Sequence, residues 1–140
     1  MIAYFDTSAV IPLLIGEPSS VICARVWNEA SRSISVRLLY PEARAALARA
    51  ERKGRISKRQ NKSAVSELEA IITEIDHVEI TAELARNAGD LAQAHQLRGY
   101  DAVHLAAAMS ALDAELVLVT GDNDLAGAAR SLGLPVALTR

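Results

Sequence analysis

Residues 116–124 read Leu-Val-Leu-Val-Thr-Gly-Asp-Asn-Asp, an apolar run that passes directly into residues typical of turns. Such a run, bounded by turn formers, predicts a buried strand, and a helical pattern through Ala128 and Leu132 follows it. The same succession occurs at the N-terminus, where the apolar residues 2–5 precede three residues that favour helix entry, Asp6, Thr7 and Ser8. A buried strand that leads into a helix is the repeating unit of α/β proteins.

Predicted strands and helices alternate along the whole chain. The strands cover residues 2–5, 33–36, 78–80, 116–119 and 136–138, and the segments between them carry apolar residues at helical spacing. This alternation implies right-handed crossovers and a parallel sheet that is covered by helices on both faces. The length of 140 residues, of which 51% are hydrophobic, predicts a single domain over residues 1–140.

The composition argues against membrane-spanning and secreted proteins. No apolar run approaches the roughly 20 residues that a transmembrane helix needs. The N-terminal residues lack the basic region and the cleavage site of a signal peptide, and the single cysteine, Cys23, offers no intramolecular disulfide. We therefore expect a cytoplasmic protein.

The net charge of −2 conceals a separation of charge along the chain. Eight of the fifteen basic residues lie between residues 44 and 62, against one acidic residue, Glu51, so that this segment carries +7 and the rest of the chain −9. The separation suggests a surface for a polyanion beside an acidic pocket, although a solvated helix face also explains the basic segment taken alone. The candidates for contacts with a phosphate backbone are Arg44, Arg49, Arg52, Lys53, Arg55 and Lys58.

Four acidic residues map to one edge of the predicted sheet. Asp6 and Asp122 follow the first and the fourth strand, whereas Glu42 and Asp101 lie in the first turns of two helices. Ligands of open parallel sheets bind at the carboxyl ends of the strands. Each acid also has a purely structural explanation, as a helix cap, a partner of the helix dipole or a turn former.

A convergence of these acids would require a cation, because carboxylates in one pocket raise each other's pKa unless a positive charge neutralises them. Oxygen ligands without cysteine or clustered histidine favour Mg²⁺, or Mn²⁺ as a substitute, over zinc. Mg²⁺ held by carboxylates and water is typical of phosphoryl chemistry. Beside a basic segment, the acids therefore predict metal-dependent chemistry on a phosphate backbone.

Four motifs share an order and spacing that resemble a known family. They are Phe5-Asp6-Thr7-Ser8-Ala9, Tyr40-Pro41-Glu42, Tyr100-Asp101-Ala102-Val103-His104-Leu105-Ala106 and Val119-Thr120-Gly121-Asp122. The chain closely resembles the PIN-domain nucleases, and most of all the VapC-type toxins of bacterial toxin–antitoxin pairs. The resemblance spans nearly the whole chain. It implies a PIN-like doubly wound three-layer α/β/α domain with a central parallel sheet of four to five strands.

The resemblance also implies an activity and partners. The chain would be an endoribonuclease that cleaves RNA by metal-activated water, it would be inhibited by a small VapB-like antitoxin, and it would form a homodimer. Asp6, Asp101 and Asp122 would be the metal ligands, and Glu42 would orient or deprotonate the attacking water. Ser8 and Thr120 would brace the carboxylates by hydrogen bonds. Asp124 is kept as a possible substitute for Asp122, because relatives often place the last acid a few residues after the threonine.

Two other classes of protein compete with this interpretation. A receiver-type or phosphatase module would need a second aspartate two residues after Asp6, where Ser8 stands, and a lysine near the end of a late strand. A non-catalytic PIN-like module that binds RNA or protein is the second alternative, and the presence of all four acids argues against it. His104 is interpreted as structural and not as a metal ligand, because no other histidine or cysteine stands at a motif position.

Overall fold

The computed structural model describes residues 1–111 and 113–140, which contain five strands and seven helices. The strands are β1 (Ile2–Phe5), β2 (Arg32–Val36), β3 (Asp76–Val78), β4 (Leu116–Thr120) and β5 (Val136–Leu138). The helices are α1 (Thr7–Leu14), α2 (Ser20–Glu29), α3 (Leu39–Arg52), α4 (Lys58–Glu74), α5 (Ala82–His95), α6 (Gly99–Ser110) and α7 (Asn123–Ser131). Within this part of the chain, no helix combines the length and the apolar character needed to cross a membrane.

The five strands form one parallel sheet in the order β3-β2-β1-β4-β5. β1 lies at its centre, where Tyr4 is opposite Ile34 of β2 on one side and Leu118 of β4 on the other. The predicted parallel sheet of four to five strands is thus confirmed. From β1 the chain builds one half of the sheet through β2 and β3, and it then crosses back to build the other half through β4 and β5. The order of the strands therefore reverses between β1 and β4.

Helices cover both faces of the sheet. Successive side chains of a strand point to opposite faces. Tyr4 accordingly packs in a core with α5, α6 and α7, whereas Phe5 packs in a second core with α1, α2, α3 and α4. All four residues of β1 are buried, which explains why its sequence is uniformly apolar. These two cores confirm the doubly wound three-layer α/β/α architecture.

β3 begins two residues earlier than the sequence predicts. The apolar pattern placed this strand at residues 78–80, but it starts at Asp76 and ends at Val78. Pairing with β2 decides its position, because Ile34 lies opposite Asp76 and β2 ends at Val36, opposite Val78. Ile80 lies beyond the paired residues and is exposed. A strand boundary set by a neighbouring strand is not visible in local hydrophobicity.

Replacement of Ser57 by alanine should destabilise the protein. The side chain of Ser57 accepts a hydrogen bond from the backbone N–H of Gln60 at 3.0 Å, and the side chain of Gln60 accepts one from the N–H of Ser57 at 2.7 Å. This reciprocal pair caps the start of α4. We expect a loss of about 1 kcal/mol, or about 3 °C in the midpoint of thermal unfolding.

Ser66→Ala is the matched control, because Ser66 is exposed in the interior of the same helix. Alanine has the higher helix propensity there, so this variant should unfold at the same temperature as the wild type or slightly above it. An equal fall in both variants would contradict the capping role of Ser57.

Candidate active site

The candidate active site lies where the two central strands end. Asp6 follows β1 directly, and Thr120 is the last residue of β4. The backbone N–H of Asp6 donates to the carbonyl oxygen of Val119 at 3.2 Å, which holds the two strand ends side by side. Because the strand order reverses at this point, a crevice opens between the connections that leave the two strands.

Two hydroxyl groups hold the buried carboxylate of Asp6, which is 4% exposed. Ser8 Oγ donates to Oδ1 at 2.6 Å, and Thr120 Oγ1 donates to Oδ2 at 3.0 Å. Each hydroxyl oxygen in turn accepts a backbone N–H, that of Gly121 on Ser8 at 2.8 Å and that of Asp122 on Thr120 at 3.0 Å. Backbone geometry therefore fixes the direction in which both hydroxyl groups donate, and with it the plane of the carboxylate.

Both aspartates that the motifs nominate as principal ligands have a raised pKa. Burial raises the pKa of Asp6, although the nearby imidazole of His104 and the bracing hydroxyl groups act in the opposite direction. Burial likewise raises the pKa of Asp101, in the first turn of α6, and the negative charge of Asp122 adds to this effect. Arg98, whose Nε lies 3.3 Å from Asp101 Oδ2, lowers that pKa in part. The positive charge near the two carboxylates therefore compensates their burial only in part, and a bound cation would supply the remainder.

Glu42 lies in the first turn of α3 and is held by donors from two other elements. Its Oε1 accepts a hydrogen bond from Thr7 Oγ1 at 2.7 Å and lies 2.6 Å from Nε2 of His104. Thr7 directly follows Asp6, so the end of β1 and the start of α1 connect the two acids. The structure thus brings Glu42 to the same edge of the sheet as Asp6.

Asp122 and Asp124 differ in their surroundings. Asp122 is the N-cap of α7, and its Oδ1 accepts the backbone N–H groups of Asp124 at 2.8 Å and of Leu125 at 3.1 Å. Both residues line an open cleft of about 450 Å³ that also includes Ser8 and Gly121. Among the acidic residues, however, it is Asp122 whose charge acts on the pKa of Asp101. This electrostatic effect favours Asp122 over Asp124 as the fourth acid.

The donor atoms at this edge fit a hard divalent cation. In the described ranges 1–111 and 113–140, no three side chains of His, Cys, Asp or Glu form a closed metal-binding group. Mg²⁺ does not need one, because proteins usually hold it through one or two carboxylates while it keeps several water molecules. The carboxyl groups of Asp6 and Asp101 both have a raised pKa, and the negative charge of Asp122 acts on Asp101.

The basic residues nominated from the sequence are all exposed on α3, on the turn after it and at the start of α4. Arg44 lies closest in sequence to Glu42, and its Nη1 donates to the hydroxyl oxygen of Tyr40 at 2.8 Å. Arg52 follows Glu42 by ten helical residues, which places it about 15 Å farther along the axis of α3. The basic segment therefore starts beside the acids and extends away from them. We call this segment, residues 44–58, the basic arm.

Two arginines at this edge of the sheet were not predicted from the sequence. Arg98 contacts Asp101, and its guanidinium group lies over the ring of Tyr100 at 5.0 Å from the ring centre. Arg140 donates from Nη1 to the carbonyl oxygen of Gly121 at 3.1 Å and lines the open cleft. Arg98 could have been found from its spacing of three residues before Asp101. No local pattern connects Arg140 with Gly121.

Comparisons with known proteins match the whole of this architecture. The family model described as "PIN domain" matches residues 3–131. The chain is 40% identical over 136 residues to two curated proteins of Mycobacterium tuberculosis, Ribonuclease VapC45 of strain CDC 1551 and Ribonuclease VapC49 of strain H37Rv. In each case the match covers 97% of this chain and 94% of the relative.

Solved structures show the same fold at low sequence identity. VapC20 of Mycobacterium tuberculosis, described as a toxin that cleaves the sarcin-ricin loop, is 19% identical and superposes with a TM-score of 0.71 over 90% of this chain and 94% of its own. DNA-bound VapBC of Salmonella typhimurium is 17% identical, with a TM-score of 0.67 over 100% of this chain and 99% of its own.

Replacement of Asp101 by asparagine should stabilise the metal-free protein at neutral pH. A carboxyl group whose pKa is higher in the folded than in the unfolded state destabilises the folded state increasingly as the pH rises above its unfolded value. The variant removes this charge, so its thermal midpoint at pH 7 should lie above that of the wild type. The difference should disappear below about pH 4, where the carboxyl group is protonated in both states.

Asp90→Asn is the control for this measurement, because Asp90 is exposed on α5. It should leave the midpoint unchanged at both pH values. A marked loss of stability in Asp101→Asn at pH 7 would mean instead that the carboxylate serves mainly to stabilise the start of α6.

Proposed function

This chain belongs to the PIN-domain family, and on that premise we propose that it is a metal-dependent endoribonuclease and the toxin of a toxin–antitoxin pair. The observation that carries the proposal is its 40% identity, over 97% of its length, to curated proteins named as VapC ribonucleases. The chain also has the acids that such chemistry requires, placed at the strand ends where a parallel sheet binds its ligands.

Mg²⁺ is the cofactor that we propose, with Mn²⁺ as a possible substitute. Asp6 and Asp101 would hold it, with Asp122 as a further ligand. When bound, the ion activates water and stabilises negative charge on the scissile phosphate. Ser8 and Thr120 support this role by holding the Asp6 carboxylate in one plane, so that its oxygens need not reorganise when a ligand arrives.

Glu42 is the residue that we assign to the attacking water. Its Oε1 is engaged by Thr7 and His104, and no donor from residues 1–111 or 113–140 bonds to Oε2. Oε2 would therefore accept a hydrogen bond from water and take its proton, as the water oxygen bonds to phosphorus and the bond from phosphorus to the leaving ribose oxygen breaks. In this arrangement Glu42 would orient the water and also remove its proton.

RNA is the proposed substrate, and the basic arm is its proposed contact surface. The arm extends from the acids, so a strand bound along it would pass its phosphates into the crevice. A VapB-like antitoxin is the proposed partner, because the solved structures with this fold include DNA-bound VapBC of Salmonella typhimurium and a VapBC toxin–antitoxin system of Mycobacterium tuberculosis. We further propose that the chain acts in the cytoplasm as a homodimer.

Cleavage of a single-stranded RNA by the purified chain should require Mg²⁺ or Mn²⁺. We expect activity to stop in excess EDTA and to return when Mg²⁺ is added back. Glu42→Gln should lose about 10²–10⁴-fold in rate with the metal present, because it removes the proton acceptor. Asp101→Asn should lose activity together with the rise in thermal midpoint that Mg²⁺ gives the wild type. Undiminished cleavage in EDTA would refute the metal-dependent mechanism, whereas metal binding without any cleavage would favour a non-catalytic binding module.

Neutralisation of the basic arm should weaken RNA binding and flatten its dependence on salt. Each phosphate contact with a single strand contributes about 0.7 to the slope of log affinity against log salt concentration. Replacement of Arg52, Lys53 and Arg55 by glutamine should therefore reduce the slope by about 2. The matched control replaces three exposed arginines outside the arm, Arg25, Arg86 and Arg130. Equal slopes for the two triple variants would contradict a role of the arm in RNA binding and would favour a solvated helix face.

A further inference from the structure

A chain of buried polar groups runs from the centre of the sheet to Glu42. His104 lies in the second turn of α6 and is 2% exposed. Its Nδ1 lies 2.9 Å from the hydroxyl oxygen of Tyr4, and its Nε2 lies 2.6 Å from Oε1 of Glu42. Tyr4 and Glu42 are separated from His104 by 100 and 62 positions in the sequence. The three side chains therefore connect β1, α6 and α3 through hydrogen bonds.

The chemistry of these groups determines which nitrogen carries the proton. An ionised carboxylate can only accept hydrogen bonds, so the contact with Glu42 requires a proton on Nε2. Nδ1 of the neutral ring is then an acceptor, and the hydroxyl group of Tyr4 is placed to donate to it. A tyrosine hydroxyl group keeps its proton at neutral pH, so it can make this donation. Tyr4 thus selects the ring tautomer that donates to Glu42.

The same contact leaves one oxygen of Glu42 available. Thr7 Oγ1 also donates to Oε1, at 2.7 Å, so Oε1 is the oxygen that both neighbours contact. The ring of His104 is buried and packs edge-on to the ring of Tyr4 with 5.9 Å between the ring centres, which restricts its movement. A rigid donor on Oε1 fixes the direction in which Oε2 points.

We propose that His104 is a positioning residue for the reaction, which holds the carboxylate of Glu42 toward the attacking water, and that Tyr4 holds His104 in the tautomer that this role requires. The proposal rests on the proposed ribonuclease function. It also gives α6 two roles, because this helix carries Asp101 at the metal and His104 at the group that acts on water. One rigid helix thereby sets both positions relative to each other.

A pair of amide variants separates positioning from simple packing. The Nε2 of glutamine reaches the place of the imidazole Nε2, so His104→Gln keeps a donor to Glu42. The shorter His104→Asn reaches only the place of Nδ1 and loses that donor. Both variants put a neutral amide into the same buried site and should lose similar stability. We expect His104→Gln to retain a rate constant within about 10-fold of the wild type, and His104→Asn to fall by about 100-fold at saturating Mg²⁺ and RNA with the KM for RNA unchanged.

The variants are then combined with Glu42→Gln. Because His104 acts through Glu42, His104→Asn should lower the residual rate of Glu42→Gln by no more than about 3-fold. Equal losses in His104→Gln and His104→Asn, or full additivity with Glu42→Gln, would overturn the proposal and leave His104 a structural residue. If both amide variants fail to fold, Tyr4→Phe takes their place, since it removes one hydroxyl group and should reduce the rate about 10-fold only while Glu42 is present.

A spectroscopic measurement distinguishes failure of this proposal from failure of the ribonuclease function. The ¹⁵N chemical shifts of the His104 ring should show a protonated Nε2 and an unprotonated Nδ1 in the wild type. Glu42→Gln should shift the Nε2 resonance, and Tyr4→Phe the Nδ1 resonance. If the protein shows these chemical shifts but cleaves no RNA, the proposed function is wrong, while the arrangement of Tyr4, His104 and Glu42 is still supported. A proton on Nδ1 alone would refute the arrangement itself, whatever the activity.

Discussion

The burial of the Asp6 carboxylate at the end of the central strand is the constraint on which the rest of the site depends. A charge at this depth loses the stabilisation of water, which is why its pKa is raised. Ser8 and Thr120 offset part of that cost through hydrogen bonds, and backbone donors fix both hydroxyl groups in turn. What remains is an unmet demand for positive charge. The protein thus retains a locally unfavourable arrangement that a divalent cation would relieve.

β1 brings the groups of the site together because of its place at the centre of the sheet. As the middle strand it is buried on both faces, so its side chains reach both cores and its end lies in the crevice where the strand order reverses. Tyr4 faces α6 and contacts His104, while Thr7, just beyond the strand, contacts Glu42. Four consecutive positions around one strand end therefore supply the proposed metal ligand, Asp6, and contacts to Glu42 and to His104.

The charge separation of the sequence corresponds to two surfaces with different tasks. The acidic residues surround a crevice that is small and locally preorganised, whereas the basic arm is exposed and extends about 15 Å away from it. A long-range attraction of this kind guides a polyanion to the site without determining which bond is cut. Arg98 and Arg140 differ from the arm because Arg98 contacts Asp101 and Arg140 lines the cleft together with Asp122 and Asp124.

Residues 116–124 and the N-terminal motif predicted the fold by themselves, because apolar runs, helix starts and their order along the chain are local properties. The same patterns placed Asp6, Glu42, Asp101 and Asp122 at one edge of the sheet, since parallel strands bring their carboxyl ends together. The start of β3 at Asp76, the contact of Arg140 with Gly121 and the contacts of His104 were decided only by tertiary structure. Each depends on a partner far away in the sequence, and the order of the strands together with the packing of α3 and α6 determines which partner that is. His104 is the clearest case, because its ring is equally compatible with an inert core until Tyr4 and Glu42 are seen on either side of it.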